Sequence, residues 1–538
     1  MKSIKSINHI CLSILVLLLC SCRSTDTDNT INFHGASGVS FNLLGTDYAD
    51  PVKLSGQASL GKGIVISSGD AVQRHSVLIT PSSFITAELS PSLESKFSTN
   101  ASLKSNSQAA ISGSPITSGV KFRVIAYRQS NGSYQTYQDY TVGQPAIPMM
   151  LDNGQAYNIV VYSYGTTNLP AISSGEQNNI SSAIVNYDDN NRDFMHQKIS
   201  FTPTNSTNTL NITLRHKVAQ ITTIVNSGSL GNITGITGGL LTPHYSDGSI
   251  SLSSGIMSGR STLSSGAGLS FSGLNTTTVT SAPVFVNADT GGNATGGFSA
   301  AITIAGNTKT ISLPNSFKIT PENKSDLTIN LTKCGAYIGV NTNPANYKDF
   351  MCQNLGATLG IDPFSPEAGN HGAKYQWGYK PADPTVSDSR YYTQANDQAN
   401  IGAISGWNSA SLPNGSWSDT SKTANDPCPS GYRVPTNAQW QAVIDNNNVE
   451  RVGSWANDGI YTTALYFRNP SNVRTLMLPV AGWRYATDGT LADRGFGGNY
   501  WSSSEATSNA FHLVFIRSSV YVSNYRRTAG LSVRCVAE

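Results

Sequence analysis

Residues 122–140 read FRVIAYRQSNGSYQTYQDY, and this stretch decides the fold class. Val120, Phe122, Val124 and Ala126 alternate with Lys121, Arg123 and Ile125, a period of two that sends successive side chains to opposite faces of a strand. Ser130-Asn131-Gly132-Ser133 follows. Asn-Gly tolerates the positive φ of a type I′ turn, so the stretch predicts a β-hairpin. Residues 157–164, YNIVVYSY, predict another strand, buried on both faces or nearly so. Farther along, Leu210, Ile212 and Leu214 alternate with Asn211, Thr213 and Arg215, and Leu327, Ile329 and Leu331 with Thr328 and Asn330. Period-two patterns with one polar face are those of antiparallel sandwiches.

The rest of the chain fits a mainly β protein of several units. Its 538 residues exceed what one core serves, and typical domain sizes suggest roughly three or four units. Charged residues make up 12% and the net charge is +3, which excludes a polybasic nucleic-acid surface. The 49 glycines point to many turns, while 38% hydrophobic residues and 23 tyrosines suffice for packed cores. DDNNR (188–192) is a polar break. The Ser/Gly/Thr-rich stretch 226–300 retains Val279, Val284 and Val286 and predicts short strands with long loops. All seven tryptophans follow residue 333. There Thr436-x-x-Gln439 forms a capping box after Pro435, predicting a helix of about ten residues that carries Ala438, Trp440, Val443 and Ile444.

The first residues read as a targeting segment. Lys2 and Lys5 precede an apolar run from Ile10 to Leu19, too short to span a bilayer. The run ends in Leu19-Cys20-Ser21-Cys22, which resembles a bacterial lipoprotein signal with Cys22 as the lipidated residue. Asp26 and Asp28 resemble the surface-export signal of Bacteroidetes lipoproteins. The expectation is a chain held at the outer membrane and cell surface by its lipid alone, because no later run of about 18 apolar residues occurs. Of the seven cysteines, Cys334, Cys352, Cys428 and Cys535 remain after this segment. An even number in an exported chain predicts disulfides, with three connectivities open.

No recognisable catalytic or metal-binding motif occurs. Gly56-x-x-x-x-Gly61-Lys62 is followed by Gly63 and a strand-like run, whereas a phosphate loop needs Ser or Thr there and a helix N-terminus. The histidines at 34, 75, 196, 216, 244, 371 and 512 are scattered, and neither HExxH nor GxSxG occurs. No catalytic residue, metal or cofactor is assigned.

Three segments of the first two units, FRVIAYRQSNGSYQTYQDY (122–140), LDNGQAYNIVVYSYGT (151–166) and LNITLRHKVAQITTIV (210–225), together resemble the fimbrillin family of Bacteroidetes pilins and pilus-associated lipoproteins. This implies two tandem transthyretin-like β-sandwiches, at 41–195 and 196–332, after a signal at 1–21 and a tether at 22–40. It also implies partnership with other pilin subunits by strand addition. The last unit, 333–538, resembles the Fibrobacter succinogenes major paralogous domain. MCQNLGA (351–357), YQWGY (375–379), NDPCPSGYRVPTNAQW (425–440), LPVAGWR (478–484), GNYWSSSE (498–505) and LSVRCVAE (531–538) carry that likeness. It implies an α+β, C-type-lectin-like domain in which Cys428 pairs with Cys535, leaving Cys334 for Cys352. The calcium motifs of C-type lectins, Glu-Pro-Asn and Trp-Asn-Asp, are missing; Trp455-Ala456-Asn457-Asp458 is a loose echo. Formylglycine-generating enzymes share the fold but need free thiols.

The closing segment is also similar to the variable region of ligand-binding proteins diversified by retroelements. From Arg484 to Cys535 it has no Lys, Met or Gln. Trp483, Trp501, Phe515 and Val533 read as framework. Between them lie the candidate ligand-binding residues Tyr485, Asp488, Asp493, Phe496, Asn499, Phe511, His512, Arg517, Tyr521, Asn524, Tyr525 and Arg526. Tyrosine and arginine are favoured at binding hot spots, and Arg517, Arg526 and Arg527 suit carboxylates or acidic sugars. The expected function is that of a pilus-associated adhesin whose last domain binds a surface glycan or protein. The alternative is a structural pilus subunit or anchor without a ligand.

Overall fold

The alternating residues around 122 form the strand Lys121–Arg128, paired antiparallel with Tyr134–Thr141. The hairpin is there, but its turn is not type I′: among the described residues of the turn only Gly132 takes a positive φ, 72°. Five residues make the connection. The Asn131 side chain accepts the Ser133 amide hydrogen, and the Gly132 amide donates to the Arg128 carbonyl. A longer loop needs only one left-handed residue. The computed structural model describes residues 35–49, 72–92, 114–457 and 461–538. The signal segment, Cys22 and the glycine-rich residues 56–62 lie outside these.

The protein is mainly β. One seven-stranded sheet runs Tyr134–Thr141, Lys121–Arg128, Tyr157–Ser163, Met195–Phe201, Asn208–His216, Ala36–Asp47, Met149–Asp152. Tyr140 on one edge strand lies 5.5 Å from Phe41, near the other edge, so the sheet curls over on itself. Tyr157–Ser163 feeds both faces: Ile159 and Val161 join one core, Val160 and Tyr162 another. A second seven-stranded sheet is built around Ala219–Asn226 and Lys324–Lys333. It packs on a four-stranded sheet that includes Ile233–Thr242 and Gly296–Ile304, with Ile221, Leu327 and Ile329 facing Leu241, Phe298 and Ile302. Short strands such as Thr278–Ser281 and Val284–Val286 occupy the Ser/Gly/Thr-rich stretch.

The path of the chain departs from a division at 195/196 in two respects. Met195–Phe201 and Asn208–His216 complete the first sheet, while the hairpin Gln73–Thr80 and Ser83–Pro91 joins the second through Lys324–Lys333. Two neighbouring pairs, Ala36–Asp47 with Asn208–His216 and Ala219–Asn226 with Lys324–Lys333, are parallel. Strands of one unit therefore come from sequence on both sides of the other, and a local pattern does not carry that information. DDNNR lies at the seam, where Asp189 accepts from His244 Nε2 at 2.7 Å and pairs with Arg192.

The last unit is held to the second sandwich at the tip of that hairpin. The amides of Cys334 and Cys352 donate to the carbonyls of Ser82 and Pro81, at 2.8 and 2.7 Å. Tyr432 donates to the Ser82 hydroxyl, Arg74 pairs with Asp362, and Phe84 stacks on Phe364. Cys334 is bonded to Cys352 and Cys428 to Cys535. Helix Asn437–Asn446 starts with a complete capping box, Thr436 and Gln439 bonding reciprocally. It buries Trp440 and Val443 against the sheets Asn448–Val452/Ala464–Arg468/Arg474–Pro479 and Gly497–Ala506/Asn509–Ile516/Val520–Arg526.

Candidate functional site

The sheet Gly497–Ala506/Asn509–Ile516/Val520–Arg526 carries most of the candidate residues. Its register sets Tyr500 beside Leu513 and Leu513 beside Val522. Tyr500, Leu513, Phe515, Val520 and Val522 pack into the core with the helix. Strand alternation sends Asn499, Trp501, His512, Val514, Tyr521, Ser523 and Tyr525 to the opposite face.

On that opposite face three aromatic rings meet. Trp483 stands edge-to-face with Tyr485 at 4.6 Å between centroids and with Tyr525 at 4.9 Å. Its indole N–H donates to Asp493 Oδ2 at 2.9 Å. Asp493 sits at φ 56°, a left-handed conformation that Asp adopts more readily than most residues. Tyr485 is 42% exposed and the neighbouring Phe496 51%. Edge-to-face pairs stiffen such a surface by about 0.5–1.5 kcal/mol each beyond area burial. Asp488 closes the turn behind Tyr485: the Thr490 amide donates to its carboxylate, which is thereby held below the ordinary range.

Other candidates are placed differently. Asn499 is 8% exposed and His512 6%, so neither is a surface contact. Asn499 runs beside Ser532, whose amide donates to its carbonyl. The His512 ring packs edge-on to Trp501, and burial pushes its pKa down to about 4. The segment SSVYVSNYRR divides by strand alternation: Tyr521 and Tyr525 project with Trp483, whereas Asn524 and Arg526 project to the other side with Phe511, their register partners being Phe511 and Asn509. Asn524 accepts from the Asn509 side chain. Arg517 is exposed in the turn before Val520–Arg526. Arg527 is 3% exposed, donates to the carbonyls of Asn509, Leu412 and Thr507, and stacks over Trp377 at 4.4 Å. It is a framework residue. Trp483, read from sequence as framework, is half-buried and central to the aromatic group.

Beneath the aromatic group lies an ionic cluster that the sequence did not signal. Arg484 Nε donates to Asp397 Oδ1 at 2.6 Å, Arg494 Nη2 to Asp397 Oδ2 at 2.9 Å, and Lys374 Nζ to Asp397 Oδ2 at 3.4 Å. Burial pushes the Asp397 carboxyl up, but Lys374, Arg484 and Arg494 outweigh it and hold the group below its ordinary range. Burial lowers Lys374 to about 8 against the pull of Asp397. Arg484 also donates to the Gly489 and Asn400 carbonyls, which fixes the turn that carries Tyr485. Its partner Asp397 lies 87 residues earlier in the chain, so no local spacing could have revealed the pair. Among the described residues no group of three His, Cys, Asp or Glu side chains is arranged to hold a metal ion. No helix among them is long and apolar enough to cross a membrane.

Comparison with known proteins gives two kinds of similarity. Residues 344–537 match the family model described as the Fibrobacter succinogenes major domain. Among solved structures, a candidate cell adhesion protein from Bacteroides uniformis is similar at 14% identity, covering 40% of this chain and 86% of that one, with a TM-score of 0.28. A fimbrial assembly protein from Parabacteroides distasonis is similar at 10% identity, covering 39% and 82%, with a TM-score of 0.26. A candidate cell adhesion protein from Bacteroides fragilis is similar at 11%, covering 40% and 80%, at 0.27. No curated protein matches the chain. The aromatic face and the ionic cluster thus lie within the segment, residues 344–537, that matches the Fibrobacter succinogenes major domain.

Proposed function

We propose that this chain is a surface adhesin of fimbrillin type, held by a lipid on Cys22 at the outer membrane and associated with a pilus. Its C-terminal, C-type-lectin-like domain binds a glycan or protein on a host or microbial surface. The observation that carries the reading is the group of Trp483, Tyr485 and Tyr525, half-buried with Tyr485 exposed and oriented by Asp493. Rigid aromatic rings offer contact area at low entropy cost, and hot spots concentrate in such anchors. The covalent bond from Cys428 to Cys535 and the buried contacts of Arg484 support it, since both hold the frame from which these rings project.

The lipid anchor and the pilus partnership rest on the sequence: the Leu19-Cys20-Ser21-Cys22 pattern and the three fimbrillin-like segments. All four cysteines of the last unit are in disulfides, which supports a binding domain over a thiol-dependent enzyme.

The test is an array of surface glycans and proteins probed with the whole secreted chain and with the double variant Tyr485→Ala/Tyr525→Ala. Binding of the parent, reduced at least tenfold in a variant that keeps its disulfides and near-UV spectrum, is expected. A folded parent that binds nothing on the array, in cells whose pilus assembly fails when the gene is removed, would favour the structural-subunit reading instead.

A further inference from the structure

Among the described residues the ionic cluster beneath the aromatic face does not balance its charge. Three cations, Lys374, Arg484 and Arg494, share the carboxylate of Asp397, and their side chains are 0%, 0%, 8% and 1% exposed. A buried cation is costly unless a counter-charge or hydrogen bonds replace its water. Backbone carbonyls satisfy much of Arg484, but the Nε–H of Arg494 has no hydrogen-bond partner.

The second observation is His371. It is 2% exposed, and neither ring nitrogen has a partner. Its ring stands edge-on to the Tyr461 ring at 5.0 Å, and the Arg494 guanidinium lies 5.8 Å from the centroid of that Tyr461 ring. Burial, with Lys374 and Arg494 nearby, keeps the imidazole neutral down to a pKa of about 3. A neutral imidazole still presents one N–H. His371, Arg494, Tyr461, Thr463 and Val480 line a small cavity. Its free space, about 10 Å³ to the centre of a water-sized sphere, holds one particle of roughly that size.

We propose that this cavity binds one small monovalent inorganic anion of halide size, held by the Arg494 Nε–H and a ring N–H of His371. The ion supplies the negative charge that Asp397 alone does not. It also fixes Arg494 directly behind Asp493, the residue that orients Trp483. The site is independent of what the aromatic face binds. A water in the same space would satisfy the donors but leave the charge uncompensated.

The experiment compares thermal unfolding of the whole disulfide-bonded chain in sodium bromide and in sodium gluconate at equal ionic strength. A saturable, bromide-specific rise of about 2–4 °C is expected, the shift that a ligand selective for the folded state produces at moderate saturation. Crystals grown with bromide should show an anomalous peak within hydrogen-bond distance of Arg494 Nε. The variant His371→Phe, which fills the space and removes the donor, should lose the bromide-specific rise; His371→Leu, which also removes the donor, serves if that variant does not fold. Equal melting in both salts, or a water and no anomalous scatterer in the cavity, would overturn the proposal.

Discussion

His196, His371 and His512 are each pulled below the ordinary histidine range, to about 4, about 3 and about 4, with burial the largest cause in every case. His196 faces Lys217 and Lys198, and His371 faces Lys374, Arg494 and Asp397. Because the folded values lie below the unfolded one, the unfolded chain binds more protons between about pH 6.5 and pH 4. Stability is therefore whole above that window and falls as pH drops through it, by up to about 1.4 kcal/mol per pH unit for each histidine. Denaturant midpoints measured from pH 7 to 4.5 should fall accordingly, and His371→Gln should flatten the slope. A midpoint that does not change with pH would contradict the burial of all three. At this scale the sequence was a poor guide. His512 and Arg527 read as surface chemistry, yet His512 packs against Trp501 and Arg527 over Trp377. A polar residue type does not disclose whether a carbonyl or a ring waits for it in the fold.

Elements were more legible, because their signals are local. The Thr436-x-x-Gln439 capping box satisfies two amides at the start of Asn437–Asn446, and Trp440, Val443 and Ile444 give the helix its buried stripe, while Ala438 is exposed. Thr436→Ala should cost about 1 kcal/mol, seen as a lower melting temperature, while Thr436→Ser should leave it nearly unchanged. The hairpin at residues 121–141 was likewise legible, though its turn type was not, since loop length is set by which residues pair across the strands. Register also decided the make-up of the candidate face. One strand offers Tyr521, Asn524, Tyr525 and Arg526 together in sequence, but its alternation divides them between two sides.

For the whole molecule, covalent closure and chain crossing matter most. Cys428 and Cys535 close a segment of 107 residues, and a loop of that order contributes roughly 4.7 kcal/mol on the chain-entropy account. Replacing both by serine should lower the melting temperature of the last unit by several degrees, more than replacing Cys334 and Cys352, whose separation is 18. Limited proteolysis resolves the two effects: loss of the shorter bridge should expose the junction at Pro81 and Ser82 before the aromatic face. Equal protection in all three proteins would refute this. The sequence by itself determined the β character, the helix start and the tryptophan-rich last unit, since each rests on side-chain periodicity or spacing within a few residues. Only the tertiary structure decided that the hairpin before residue 92 completes the second sandwich, that Trp483 joins Tyr485 and Tyr525, and that three cations meet Asp397. Those are contacts between residues far apart in the chain, fixed by how sheets pair and pack, which local patterning does not encode.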